Sequence, residues 1–338
     1  MEKVVVSLGQ PAFSGKVALV TGATGLVGSH LLSALLHAGA RVVSFVRDDV
    51  PSSLAAESGD IGRAIQARSD LREYDDMCRV VAEYEPEIVF HLGAQSQVGV
   101  SLNYPRGTFE ANVRGTWNLL DALRLYGKRL QAIVVASSDK AYGESPVLPY
   151  TEDCPLRGTY PYDVSKSCVD LVSRSYALTY KMPLAIARCG NIFGAGDLNF
   201  DRIVPGTIRD VCRGARPVLR SDGKFVRDYI YVKDAVSAYM TLASAVAQSP
   251  ALRGEAFNFG YDRPVTVLQI VETILRLMGR TDLEPDIRNT AVGEIRSQYL
   301  SSKKARESLG WSPAYGLEDG LRETIDWYVP RLKAGFYA

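Results

Sequence analysis

Apolar and polar positions along the chain change period in a regular way. Residues 17–20 read Val-Ala-Leu-Val, a short unbroken apolar run of the kind that a strand buried on both faces requires. From Leu26 onward the apolar residues fall at helical spacing, and Gly39 stops the run. Residues 41–46 are again a short, mostly apolar run. The unit is strand, glycine-rich turn, helix, strand. The alternation continues with a helix over 73–85 ended by Pro86 and a strand over 87–94. A long helix is expected over 106–126, with Trp117, Leu119, Leu120 and Leu123 on its apolar positions. A strand over 130–137, a helix over 162–181 and a strand over 184–189 complete the series. Repeated strand–helix units at this spacing predict an α/β fold, a Rossmann-type doubly wound parallel sheet with helices on both faces.

Past about residue 195 the pattern loosens. Proline, glycine and arginine become frequent and apolar runs shorten, although 203–214, 234–248 and 265–279 still read as helices. The expected organisation is a dinucleotide-binding domain over 1–195 and a smaller C-terminal α/β substrate lobe over 196–338, with chain crossings between them. Residues 1–15 carry too short an apolar run for a secretory signal and read as an extension ahead of the first strand.

Composition narrows the function. A formal net charge of +1 argues against a nucleic-acid or membrane partner held by bulk electrostatics. No apolar stretch is long enough to span a bilayer. The five cysteines form no C-x-x-C pair and read as reduced thiols, which places the protein in the cytoplasm. Three scattered histidines predict no metal site.

Candidate chemistry starts at the first turn. Gly22, Gly25 and Gly28 lie three apart between strand and helix. The first glycine permits a tight turn, the second admits a pyrophosphate, and the third lets helix pack close on strand. The helix N-terminus adds unpaired N–H groups for the anion. The second strand ends in Ser-Phe-Val-Arg-Asp-Asp. Val46 stands where an acid for an NAD ribose is expected, and Arg47 follows. An arginine there suits a 2′-phosphate and points to NADP over NAD, with a solvated loop arginine as the plain alternative. Asp70, after the third strand, is placed to contact the adenine, with Leu71 beside it.

Tyr162 and Lys166 are four apart at the start of a helix and share a face. An ammonium beside a phenol lowers the tyrosine pKa, which would make Tyr162 a general base for a sugar hydroxyl. Asp139 and Lys140 sit side by side after the apolar run 132–136. They are either a solvated charge pair or a pair facing a substrate.

TGATGLVG, HLGAQ (91–95), Asn112 in ANVRGTWNLL, ASSDKAY, YPYDVSK and RCGNIFG (188–194) follow one another in this order. The chain resembles the extended short-chain dehydrogenase/reductase family, in particular its nucleotide-sugar dehydratases and epimerases, over residues 16–330. The resemblance implies an NAD(P) cofactor, tightly bound and recycled, contacted by Gly22, Gly25, Leu26, Val27, Arg47, Asp70, Leu71, Leu92, Ala94, Tyr162 and Lys166. It implies a nucleotide-diphosphate sugar held by Gln95, Asn191, Arg202, Arg227 and Arg296, and a homodimer formed through the helices around 106–126 and 162–181. Ser138-Asp139-Lys140 resembles the triplet of CDP-glucose dehydratases, whereas VRDYIYVKD (226–234) and Arg47 look more like epimerases and GDP-mannose dehydratases. The implied activity is an NDP-hexose 4,6-dehydratase. Asp139 would be the acid at C6 and Lys140 the base at C5, each acting in the less usual ionisation state, which requires burial or coupling. Ser138 would hold the 4-oxygen. The alternatives on the same scaffold are a 4-epimerase, which needs neither Asp139 nor Lys140, and a reductase that consumes NADPH.

Overall fold

The computed structural model describes residues 12–290 and 294–337. The extension expected ahead of the first strand therefore lies largely outside the described residues. Seven strands form one sheet, all paired in parallel. They are β1 (Val17–Thr21), β2 (Arg41–Val46), β3 (Ile65–Arg68), β4 (Ile88–His91), β5 (Ala132–Ala136), β6 (Leu184–Cys189) and an edge strand, Ala256–Phe259. From the late edge strand the order runs through β6, β5, β4, β1 and β2 to β3. The chain winds outward in both directions from the β1–β4 contact, and a crevice opens there beyond the carboxyl ends of the strands.

Both faces are covered, which is why the strands read as continuous apolar runs. On one face pack α1 (Leu26–His37) and the helix Val232–Gln248. Leu31, Leu32 and Leu35 of α1 are fully buried, each stabilising the fold by roughly 1.5–3 kcal/mol through burial. On the other face pack the helices Tyr74–Tyr84, Gly115–Tyr126 and Pro161–Thr179. The helix Val232–Gln248 and the edge strand Ala256–Phe259 belong to the second half of the sequence, yet the strand completes the large sheet and the helix packs on it.

The long helix predicted over 106–126 is interrupted. A helix over Pro105–Phe109 passes into a π-helical turn, Glu110–Arg114, before Gly115–Tyr126 resumes as α-helix. The wider turn presents Asn112 inward. Its side chain accepts from Gln95 N at 2.7 Å and donates to Gln95 O at 3.0 Å and Ser165 Oγ at 2.9 Å. The inward stripe beyond it is Thr116, Leu119, Leu120 and Leu123, spaced i, i+3, i+4, i+7. Trp117, expected among the apolar positions, sits off that stripe and is 44% exposed.

Smaller strands build the rest. Val226–Arg227 pairs with Val265–Thr266 and with Ser297–Gln298, and Asn191–Phe193 pairs with Tyr229–Tyr231. No helix among the described residues is long and apolar enough to cross a membrane. All five cysteines are free.

Candidate active site

The glycine turn is built as its spacing requires. Gly22 adopts φ +74°, and a Cβ there would lie 2.8 Å from the Gly93 nitrogen. A Cβ on Gly28 would collide with the Gly22 carbonyl oxygen, so the third glycine is what lets α1 approach β1. Gly25 is the N-cap of α1 with no side-chain cap, and no acid occupies the first turn. The N–H groups around Leu26 and Val27 are thus left for an anion, as a pyrophosphate-binding turn needs. Thr21 fastens the turn to the neighbouring strand end: its Oγ1 accepts from Leu92 N at 3.1 Å and Gly93 N at 2.9 Å. Leu71 packs over Gly93 and Gly115, where side chains larger than hydrogen would strike it. Leu92, Ala94 and Gln95 follow β4 at the same sheet edge and are half-buried. Asp70 is held by Arg72, with contacts of 2.8–3.0 Å. Arg47 is exposed and pairs with Asp48 at 2.6 Å. These residues fit a dinucleotide lying along the crevice.

His91 lies behind the cofactor loop between Thr21 Oγ1 at 2.8 Å and Thr116 Oγ1 at 3.0 Å. Burial, with the Lys166 charge, pushes its pKa down to about 3. It is neutral at ordinary pH and ties strand to helix.

The acid–amine pair stands on a 3-10 turn, Asp139–Tyr142, directly after β5. Ser138 caps the turn. Its Oγ accepts from Lys140 N at 3.2 Å and donates to Asp139 Oδ1 at 3.0 Å. Asp139 is 1% exposed, and its Oδ2 has no partner among the described residues. Burial raises its pKa against the opposing pull of Lys140, Ser138 and Arg227. Lys140 Nζ reaches Gln298 Oε1 at 3.4 Å, and no ion pair joins it to Asp139 among the described residues. The two groups therefore do not simply neutralise each other.

The helix Pro161–Thr179 packs against this turn and carries Tyr162 and Lys166. Lys166 Nζ lies 6.0 Å from the Tyr162 ring centroid and donates to Ala136 O at 2.8 Å. Its burial lowers its pKa to about 8. The phenol departs from the sequence expectation. Burial pushes Tyr162 up to about 12, with the Asp139 and Asp163 charges adding to the rise and the Arg202 charge and the nearby Ser138 hydroxyl opposing it. The cause is plain in the geometry: the Lys166 amine is turned to a backbone carbonyl, and the phenol lies in a nearly closed site.

Arg202, paired with Asp197 at 3.0 Å and 3.3 Å from Ser96 Oγ, brings a positive charge near Tyr162. Arg227 is buried and donates to the carbonyls of Val226 and Arg296, with its charge felt at Asp139. Arg296 itself is exposed beside Asp222 at 3.6 Å, apart from this cluster. Asn191 is half-buried, its N–H on Asp228 O at 2.8 Å. Sequence reasoning missed Asp163, on the same helix as Tyr162, and Asp228 and Gln298, which join the site from other elements. Asp163 directly follows Tyr162, which was the available signal, and burial pushes it up to about 6.

Asp228 is fully buried, and its Oδ2 has no partner among the described residues. Burial, against the Tyr261 N–H but with Asp139 and Asp262 adding to the effect, pushes its pKa up to about 7. The folded state then keeps a proton that the unfolded chain releases near pH ~4. This contribution to stability is lost as pH rises from about 4 to about 7. Asp228→Asn removes it. Denaturant unfolding at about pH 5 and about pH 7.5 should show a larger loss of stability in wild type than in Asp228→Asn. Equal losses would contradict the assignment.

Residues 19–324 match the GDP-mannose 4,6 dehydratase family. The CDP-glucose 4,6-dehydratase of Salmonella typhimurium LT2 is 30% identical over 329 residues, covering 94% of this chain and 91% of that protein. A UDP-glucose 4-epimerase from Thermotoga maritima, solved with UDP-glucose, superposes with TM-score 0.84 at 29% identity, covering 94% of this chain and 99% of that one. A dTDP-glucose 4,6-dehydratase from Bacillus anthracis, solved with NAD, superposes with TM-score 0.81 at 25% identity, covering 93% and 96%. The chain belongs to the GDP-mannose 4,6 dehydratase family, within the extended short-chain dehydrogenase/reductases. By family it is an NAD(P)-dependent hydro-lyase of nucleotide sugars, the class the sequence predicted.

Proposed function

We propose that the protein converts a nucleotide-diphosphate hexose to its 4-keto-6-deoxy derivative, with Asp139 and Lys140 as the eliminating pair. The observation that carries this reading is the buried, half-unpartnered Asp139 carboxyl beside an amine that it does not neutralise. An epimerase working through Ser138 and Tyr162 alone has no use for such a group, and leaving a buried polar atom unpaired costs roughly 1–3 kcal/mol.

Tyr162 takes the proton of the 4-hydroxyl, and Ser138 holds the 4-oxygen. A bound nicotinamide would supply the hydride chemistry, accepting from C4 and returning to C6. With C4 a ketone, the C5 hydrogen is acidic, and Lys140 removes it. Asp139, whose burial favours the neutral carboxyl, gives its proton to the departing 6-hydroxyl, and water leaves. Lys140 returns its proton to C5. Tyr162 then releases the 4-hydroxyl proton to solvent and Asp139 takes one up, so water is the only net loss and the protein ends as it began. Lys166, whose amine rests on Ala136 O, would hold the nicotinamide ribose. Arg202 and Arg227 hold the diphosphate, since guanidinium groups grip phosphate oxygens in pairs. Asn191 and Gln95 line the same substrate path, and the exposed Arg296 side chain beside Asp222 stands outside it.

The cofactor reading is NADP, supported by Arg47 just beyond β2 and the missing acid at Val46. Weighing the dinucleotide released on denaturing the purified enzyme tests it, and NAD alone would overturn it. A homodimer is supported by Trp117, Leu171, Leu178 and Tyr180, exposed on the helices Gly115–Tyr126 and Pro161–Thr179 and just beyond the latter. A one-chain mass by light scattering would contradict it. The activity is tested by incubating the enzyme with CDP-glucose, GDP-mannose, UDP-glucose, UDP-N-acetylglucosamine and dTDP-glucose without added reductant. One of them should yield a product lighter by one water. An isomer of unchanged mass would mean epimerisation.

A further inference from the structure

Lys140 lies within reach of two carboxyl charges, Asp139 and Asp163. Its hydrogen-bond partner is neither of them. It is Gln298, 158 residues away in sequence, with Nζ 3.4 Å from Oε1. Gln298 is fully buried, and its Nε2 has no partner among the described residues. A buried amide with one end on the reacting amine and the other end unsatisfied is costly unless a ligand completes it.

The backbone that carries Gln298 is held from two sides. Ser297–Gln298 pairs in parallel with Val226–Arg227, with Gln298 opposite Arg227. Two residues on, Leu300 bridges to Tyr150, with Tyr150 N on Tyr299 O at 2.9 Å and Ser301 N on Tyr150 O at 2.8 Å. Tyr150 stacks on Tyr142, ring centroids 4.8 Å apart, and Tyr142 is the last residue of the 3-10 turn that bears Asp139 and Lys140. Gln298 and Lys140 are thus set against each other by packed elements.

We propose that Gln298 is a positioning residue for the elimination step: its carbonyl oxygen aims the Lys140 amine at C5, and its amide nitrogen donates to an oxygen of the hexose. This rests on the dehydratase reading and adds a specificity contact from a segment outside the nucleotide-binding sheet. A four-carbon amine stem otherwise has many rotamers, and its neighbouring carboxyls would draw it off the sugar. Misplacing a reacting group by about 1 Å costs on the order of 100-fold in rate.

The test is single-turnover kinetics of wild type, Gln298→Met and Lys140→Met/Gln298→Met, with the nucleotide hexose that wild type dehydrates, in deuterated water. Absorbance of the reduced nicotinamide reads C4 oxidation. Mass spectrometry reads water loss and deuterium at C5. Gln298→Met should oxidise C4 within about threefold of wild type, accumulate reduced cofactor, and eliminate water about 100-fold more slowly. On the Lys140→Met background the same change should add no further loss at elimination. If Gln298→Met does not fold, Gln298→Glu keeps the side-chain shape but removes the amide donor and sets a carboxylate on the amine, which favours the ammonium; it should slow elimination by about 100-fold with C4 oxidation within about threefold, and elimination at the wild-type rate counts against the proposal. A wild-type enzyme that dehydrates no hexose overturns the dehydratase reading together with this one. A wild type that dehydrates, with Gln298→Met slowed at both steps alike or at neither, overturns only the role of Gln298.

Discussion

Tyr162→Phe abolishes C4 oxidation while the enzyme stays folded and still binds its nucleotide sugar. The substitution removes one oxygen from a side chain only 9% exposed and leaves the ring in place, so the fold has little reason to change. What is lost is the group that exchanges a proton with the 4-hydroxyl. General acid–base contributions of this kind are worth about 10²–10⁴-fold. Every later step needs the 4-ketone, so water loss falls with hydride transfer. With the phenol held at about 12 by burial, Tyr162 carries its proton at neutral pH, and activity should climb as pH rises above neutrality. Mixing enzyme and substrate and following reduced-nicotinamide absorbance checks both statements. A wild-type transient surviving in Tyr162→Phe would contradict them.

Asp139→Asn and Lys140→Met should behave differently. Neither residue touches the proton of the 4-hydroxyl, so C4 oxidation survives and reduced cofactor builds up. Loss of the acid or the base should slow elimination by about 10²–10⁴-fold. Asp139→Asn keeps the amide oxygen for Ser138 Oγ and is not expected to perturb the turn, since among the described residues Oδ1 is the only atom of that carboxyl with a side-chain partner. Lys140→Met should also stop uptake of solvent deuterium at C5, whereas Asp139→Asn should retain it, because proton removal precedes loss of the hydroxyl. Equal loss of oxidation and elimination in these variants would remove the assigned roles.

The parts of this molecule that can be read locally were legible in the sequence. Gly22, Gly25 and Gly28 owe their spacing to one turn, and Tyr162 and Lys166 share one helix face. The Ser138-Asp139-Lys140 triplet is consecutive. The apolar runs of β1, β2, β4, β5 and β6 are legible because both faces of the sheet are covered. What was not legible depends on contacts distant in sequence. The π-helical turn at Glu110–Arg114 exists to serve Asn112, which bonds Gln95 and Ser165, and no local pattern announces it. The raised Tyr162 phenol follows from closure of the site and from Lys166 turning to Ala136 O, which i, i+4 spacing alone does not reveal. Gln298 and Asp228 come from short strands and their flanks in the irregular second half, where periodicity fades. Arg227 and Arg296 look alike in sequence, yet one is buried near Asp139 and the other is exposed beside Asp222.

The central claim is that a hydride taken from C4 returns to C6 after water has left between C5 and C6. The most direct test supplies the accepted nucleotide hexose labelled with deuterium at C4, in ordinary water and without free reductant. The account predicts a product lighter by one water that carries the deuterium at C6. Deuterium remaining at C4 in an isomer of unchanged mass would show an epimerase, and label lost to a free cofactor pool would show an oxidoreductase. Either result would contradict Asp139 and Lys140 as the eliminating pair.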